Sequence, residues 1–275
     1  MSGKEEHCEH GGSNRLTQAS DQKPQTERRG SAQTRQRSWR RDLVSNRSEP
    51  LGFVRSSEIA GGPYPEGMLD PRGLYAFTAD QPTPDELSEP VLLFCLNGFI
   101  DAGQAGRLAA DHLLATLDHR LLVSFDLDQM YDYRARRPVM TFDGDHWESY
   151  QAPSLHIYLA KDLAGTGFLL MVGPEPDVQW ERFVAAVTGL VEHYGVRLSL
   201  GVHAIPMGVP HTRPVGVTAH ATRPETVSDY RQWVGRVQVP GQMTGLLELR
   251  LGEAGRDAAG FAVHVPHYLA QNEYP

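Results

Sequence analysis

Cysteine is scarce in this chain, with Cys8 and Cys95 the two examples in 275 residues. One sits in a polar stretch and the other in an apolar run, which argues against a disulfide framework. Long apolar runs are missing as well. None approaches the roughly 20 residues that span a bilayer, and the N-terminus lacks the short apolar segment of a signal peptide. A soluble, cytoplasmic protein is the expectation. Several enzyme signatures are also absent: the Gly-x-Ser-x-Gly elbow, the phosphate loop ending in Gly-Lys-Ser/Thr, the Gly-x-Gly-x-x-Gly turn and the His-Glu-x-x-His zinc helix. Catalysis is therefore not the expected role, and no cofactor is implied. No internal repeat is evident.

The formal net charge of −8 conceals an asymmetry. Residues 1–50 hold ten Lys/Arg against seven Asp/Glu, a balance of +3, which leaves 16 against 27, or −11, for residues 51–275. The acidic body lacks the basic stripe that nucleic acid would require. In residues 1–50 the arginines lie among Ser, Gln and Thr without apolar periodicity, so a disordered Arg-rich tail is expected, which an upstream start codon would also produce. His7-Cys8-Glu9-His10 has metal-ligand residue types but no second ligand group or folded frame, and no metal is assigned to it. Residues 51–73 are rich in Pro and Gly and read as a linker.

The chain's 40% hydrophobic content is enough to build a core, and from residue 74 onward strand-like and helix-like patterns alternate. Residues 74–77, 91–96, 121–125, 155–159, 168–172, 196–204, 215–221 and 260–265 read as strands. Amphipathic spacing predicts helices over residues 104–117, from Asp177 to Tyr194 with Gly195 as C-terminal cap, and over 244–254. Residues 140–147, with Asp143-Gly144 at the turn, read as a β-hairpin. The alternation argues for an α/β fold with a mostly parallel sheet between helical layers. The last residues, Asn272-Glu273-Tyr274-Pro275, resemble the start of a further helix, so the folded domain of residues 74–275 is expected to be truncated at its C-terminus.

The most informative stretch is Asn97-Gly98-Phe99-Ile100-Asp101-Ala102-Gly103, a strand-to-helix junction of the kind where open α/β sheets place ligands. Gly98 and Gly103 permit positive φ or close backbone approach, and free N–H groups at the helix start would favour an anion. Equally, Asp101 could simply cap the helix. Three other loops follow strand ends. Glu175, in Gly173-Pro174-Glu175-Pro176, is either presented to a ligand or, with Asp177, stabilises a helix N-terminus. His211 and Arg213 are offered from a Gly/Pro-stiffened loop, where Arg would suit a carboxylate or phosphate, or are simply solvated. Tyr131, Tyr133, Arg134, Arg136 and Arg137 are residue types favoured at protein interfaces, and they suit an internal salt-bridge network just as well.

These motifs, together with Pro206-Met207-Gly208-Val209-Pro210-His211-Thr212-Arg213-Pro214 and residues 261–271, occur in an order that resembles the bacterial, actinobacterial-type branch of the proteasome-assembly-chaperone-2 family. The resemblance spans residues 74–275. It implies a three-layer α/β/α sandwich like that of nucleoside phosphorylases and related hydrolases, and a protein-binding, homo-oligomeric chaperone that has 20S proteasome α-subunits as partner. Some such chaperones dock through a C-terminal hydrophobic-Tyr-any tripeptide. Here the charged Glu273 precedes Tyr274, and the resemblance implies that the Tyr274-Pro275 pair is internal. The alternative is a small-molecule enzyme or sensor whose cleft uses Gly98, Asp101, Gly103, Glu175, His211 and Arg213.

Overall fold

A computed structural model describes residues 67–231 and 235–274. The chain divides into a unit of residues 1–49 and a unit of residues 50–275. The first, with the Arg-rich tail and the His7–His10 cluster, lies outside the described residues, as do residues 51–66 of the Pro/Gly stretch and Pro275.

The described chain runs through β1 (Tyr75–Phe77), β2 (Val91–Asn97), α1 (Ala105–Thr116), β3 (His119–Phe125), β4 (Met140–Asp143), β5 (His146–Tyr150), β6 (His156–Lys161) and β7 (Gly167–Pro174). It continues through α2 (Trp180–His193), β8 (Leu198–Met207), β9 (Val217–Ala221), α3 (Met243–Glu253) and β10 (Ala258–Pro266). Eight strands form one sheet in the order β1-β3-β6-β7-β2-β8-β10-β9, and β4 and β5 pair as a separate hairpin. The parallel part is the centre, where β7, β2, β8 and β10 lie side by side. Both flanks are antiparallel. With three parallel and four antiparallel pairings, the mostly parallel sheet expected from alternation is a mixed one. Between β6 and β7 the cause is loop length. Residues 162–166 are too few for a crossover, and Asp162 closes them as a tight reversal by accepting from the N–H groups of Ala164 and Thr166.

Alternation within the strands decides what each helix covers. Leu92, Phe94 and Leu96 of β2 join a core that also takes Leu169 and Met171 of β7, Phe183, Val187 and Leu190 of α2, and Leu247 and Leu251 of α3. Each such side chain contributes roughly 2 kcal/mol by leaving water. A second, small cluster of Ala102, Ala204 and Val265 gathers Ala105 and Tyr274. Gly195, with φ +61°, ends α2 at the position expected for a left-handed cap.

Arg182 is the exception on the core face of α2. Its guanidinium is buried and bonded to neutral groups, with Nε and Nη2 donating to the Asp70 carbonyl and Nη1 donating to the Gln129 and Gln179 side-chain oxygens. Residues 70–74, at the end of the stretch read as linker, are thereby fastened to the body as a 3-10 turn with Leu74 fully buried. Arg182→Met should cost about 2 kcal/mol, because those acceptors lose their donor. Trypsin should then cut sooner at Arg72. An unchanged cleavage rate beside the wild type would contradict this tether.

Candidate functional site

The parallel strands β2 and β7 are paired in register so that Asn97 lies opposite Pro174. Their carboxyl ends therefore deliver the turn after Asn97 and the loop carrying Glu175 to one place. Glu175 N–H donates to the Asn97 carbonyl at 2.8 Å, which extends the pairing by one rung. The Glu175 side chain then turns inward and is buried. Its Oε2 accepts from Phe99 N–H at 3.0 Å and its Oε1 from Met243 N–H, the first residue of α3, at 2.5 Å. One carboxylate thus fastens the β2–α1 turn to the start of α3. Gly98 is what allows it, since a Cβ there would overlap the Glu175 side chain.

Asp101 is spent on its own helix. Oδ1 accepts from Gly106 N–H at 2.8 Å and Oδ2 from Arg107 N–H at 3.2 Å, which satisfies two of the donors that α1 leaves unpaired. Burial pushes the Asp101 carboxyl above its ordinary range, and these two bonds pull the other way. Gly103 has φ +66°, and its backbone N–H and carbonyl bond Ala270 and Tyr274 of the C-terminal segment. That segment also pairs Glu273 with Arg107. Tyr274 packs on the Ala102 cluster.

The open cleft between these loops measures about 570 Å³. Asn97, Gly98, Phe99, Asp101, Gln104, Arg107, Arg136, Glu175, Asp177 and Trp180 are among its walls. Arg136 donates to Asp177 Oδ2 at 2.7 Å and to the Glu175 carbonyl at 2.6 Å, and its guanidinium lies over the Tyr131 ring at 4.4 Å. Asp177 also accepts from Asp132 N–H, and its own N–H donates to the Met130 carbonyl. It is held outside α2, which starts at Trp180 rather than at Asp177 because Gln179 takes a left-handed φ of 61°. Gln104 does the same, φ 54°, at the head of α1. Two strained non-glycine residues thus flank one cleft.

Of the ligand candidates, Gly98, Asp101 and Glu175 line this cleft, with Gly103 buried in the adjoining turn. His211 and Arg213 are not among its lining residues. His211 instead bonds Tyr268, whose hydroxyl lies 2.8 Å from Nδ1, and Arg213 is exposed. Of the interface candidates, Tyr131 and Arg136 belong to the cleft network, and Tyr133 donates to Asp128 Oδ1 at 2.6 Å. Arg134 and Arg137 are exposed. Asn97, Arg107 and Trp180 were not singled out from sequence. Arg107 carries a signal that could have found it, lying six residues after Asp101 in the same junction. Trp180 carries none, because its spacing places it on the apolar face of α2. Among the described residues, no group of His, Cys, Asp and Glu could hold a metal ion, and no helix is long and apolar enough to cross a membrane.

Fold and cleft together define a mixed α/β scaffold whose strand-end acids are bonded to its own backbone. The PAC2 family model matches residues 95–275. The chain belongs to the PAC2 family. It is similar to a Mycobacterium tuberculosis protein of unknown function, Rv2714, at 45% identity over 79% of this chain and 74% of that one, with a TM-score of 0.70. A Corynebacterium glutamicum protein of unknown function is 38% identical over 74% of this chain and 76% of that one, TM-score 0.69. The M. tuberculosis proteasome-assembly chaperone homologue Rv2125 is 27% identical over 66% of this chain and 77% of that one, TM-score 0.61. Comparison with curated proteins gives no match.

Proposed function

We propose that this chain is a protein-binding scaffold of the proteasome-assembly-chaperone kind, with 20S proteasome α-subunits as its partner and no catalytic turnover. The observation that carries the reading is the state of the cleft acids. Asp101, Glu175 and Asp177 all accept from the protein's own N–H groups, so none is held ready to take a substrate proton. The small-molecule reading also needs His211 and Arg213, which stand outside the cleft walls. Membership of the PAC2 family and the likeness to a proteasome-assembly chaperone homologue support the choice of partner. In this reading the protein is cytoplasmic and homo-oligomeric, and α1 covers one face of the sheet while α2 and α3 cover the other.

Arg134 and Arg137 are the exposed cations of the Tyr/Arg segment and are assigned to the partner contact. The full chain should retain 20S α-subunits in a pull-down, and Arg134→Glu with Arg137→Glu should reduce recovery by about tenfold, as loss of interface arginines does. Wild-type recovery no better than an unrelated bait would dismiss the chaperone reading.

A further inference from the structure

The cleft at the carboxyl ends of β2 and β7 lies where the chain leaves the sheet in two directions. From β2 it goes on to β3, three places to one side, and from β7 to β8, two places to the other. Open α/β sheets hold ligands at such a switch point, and a volume of about 570 Å³ is that of a small-molecule site. Two non-glycine residues with left-handed φ, Gln104 and Gln179, stand at the heads of the helices beside it, a strain that collects at ligand sites. None of these observations involves His211 or Arg213.

The walls say which ligand fits. An anion finds no donor at the head of α1, because from Gly103 to Arg107 every backbone N–H is already given to a protein acceptor. These acceptors are the Ala270, Asp101 and Ala102 carbonyls and the two oxygens of the Asp101 carboxylate. Both guanidiniums are occupied too, Arg107 by Asp111 and Glu273 and Arg136 by Asp177. Asp101 and Glu175, by contrast, are in no ion pair among the described residues and meet neutral N–H groups instead. Aromatic rings complete the lining. Trp180 is fixed by its indole N–H, which donates to the Pro176 carbonyl at 2.7 Å, and Phe99 is 72% exposed. Carboxylates without a counter-ion beside an indole and a phenyl ring suit a positive charge on an apolar stem. We propose that the cleft binds a small organic cation, an ammonium or guanidinium group on an aliphatic stem, with the charge towards Asp101 and Glu175 and the stem against Trp180 and Phe99. This is binding without turnover, and it does not rest on the α-subunit contact assigned to Arg134 and Arg137.

The test is isothermal titration calorimetry of the full-length chain with n-butylammonium and n-butylguanidinium, beside n-valerate and inorganic phosphate. At least one of the cations should bind with a dissociation constant of about 1 mM or tighter, and neither anion should bind at about tenfold that concentration. Added salt should weaken the binding. Gln104 is in the cleft wall, and its side chain takes no part in the bonds of Asp101 or Glu175. Gln104→Lys sets a tethered ammonium in the cleft and should abolish cation binding, whereas Gln104→Glu should tighten it by about threefold. Trp180→Leu should weaken it by about tenfold, the share of a ring facing a cation. Far-UV circular dichroism of each variant checks that the fold is kept, and the two Gln104 variants decide the matter if Trp180→Leu does not fold. No binding of either cation, an anion bound as tightly as the cations, or an affinity indifferent to the charge at position 104 would each overturn the site. The α-subunit pull-down is read separately, so either reading can fail while the other stands.

Discussion

Glu175→Ala should lower the unfolding free energy by about 4 kcal/mol, because two backbone N–H groups that the protein buries lose their acceptor together. The carboxylate bonds Phe99 N–H and Met243 N–H, and neither donor has another partner within its own element at that point. Met243 N–H is the fully buried one, so water replaces the lost oxygen poorly there. In a domain of this size such a loss lowers Tm by about 10 °C. Glu175→Gln keeps one acceptor and presents an amide N–H to the other donor, so it should lie between wild type and Ala. The pair with Gly98 offers a stricter check. Gly98→Ala inserts a Cβ where the Glu175 side chain now lies, so the two substitutions should be strongly non-additive, with Gly98→Ala costing much less in the Glu175→Ala background. Chemical unfolding of the four proteins in this cycle measures it. If the Gly98→Ala penalty were the same in both backgrounds, the contact between these residues would not be what holds the turn.

That contact also marks where sequence reasoning stops. The strands beside it are legible because they are apolar for their whole length. Residues 91–96 and 168–172 read as strands and lie within Val91–Asn97 and Gly167–Pro174. Trp180, Phe183, Val184, Val187, Leu190 and Val191 spell α2 by three- and four-residue spacing, and only Arg182 breaks the pattern, because a carbonyl 112 residues away in sequence receives it. The hairpin is legible from Asp143-Gly144, where Gly144 takes φ +58°. Strand direction is only partly legible, because alternation of element types says nothing about the length of one connection, and residues 162–166 form a reversal between β6 and β7. The cleft is half legible. Asp101 and Glu175 stand out beside glycines and prolines, but their meeting rests on the long-range register of β2 with β7. Likewise, the bond from Met243 to Glu175 joins residues that only the packing of α3 brings together.

Lowering the pH from 7 to 4 should destabilise the fold by about 3 kcal/mol through a single buried side chain, His203 of β8. It is 4% exposed, and among the described residues its Nδ1 has no hydrogen-bond partner. The groups that face it supply little to hold a proton. His220 of β9 stands with its ring centroid 6.3 Å away, and the Glu248 carboxylate of α3 that could have offset a charge is bonded to His220 instead, at 2.7 Å. Burial first, and the neighbouring His220 second, push His203 down to about 4 from the ordinary 6.5. A group whose folded value is depressed binds fewer protons folded than unfolded, so its contribution is complete above pH 6.5 and is lost as the pH falls towards 4. Burial lowers His156, His193 and His264 too, and they act in the same direction. Asp101 opposes them, because its raised carboxyl takes up a proton in the folded state before it does in the unfolded one. Urea unfolding at pH 7, 6, 5 and 4 should therefore show stability falling towards acid, and His203→Gln should flatten the slope by up to one proton's worth, about 1.4 kcal/mol per pH unit. Identical slopes for His203→Gln and wild type would mean that His203 takes up its proton as readily folded as unfolded, and the buried neutral imidazole would have to be abandoned.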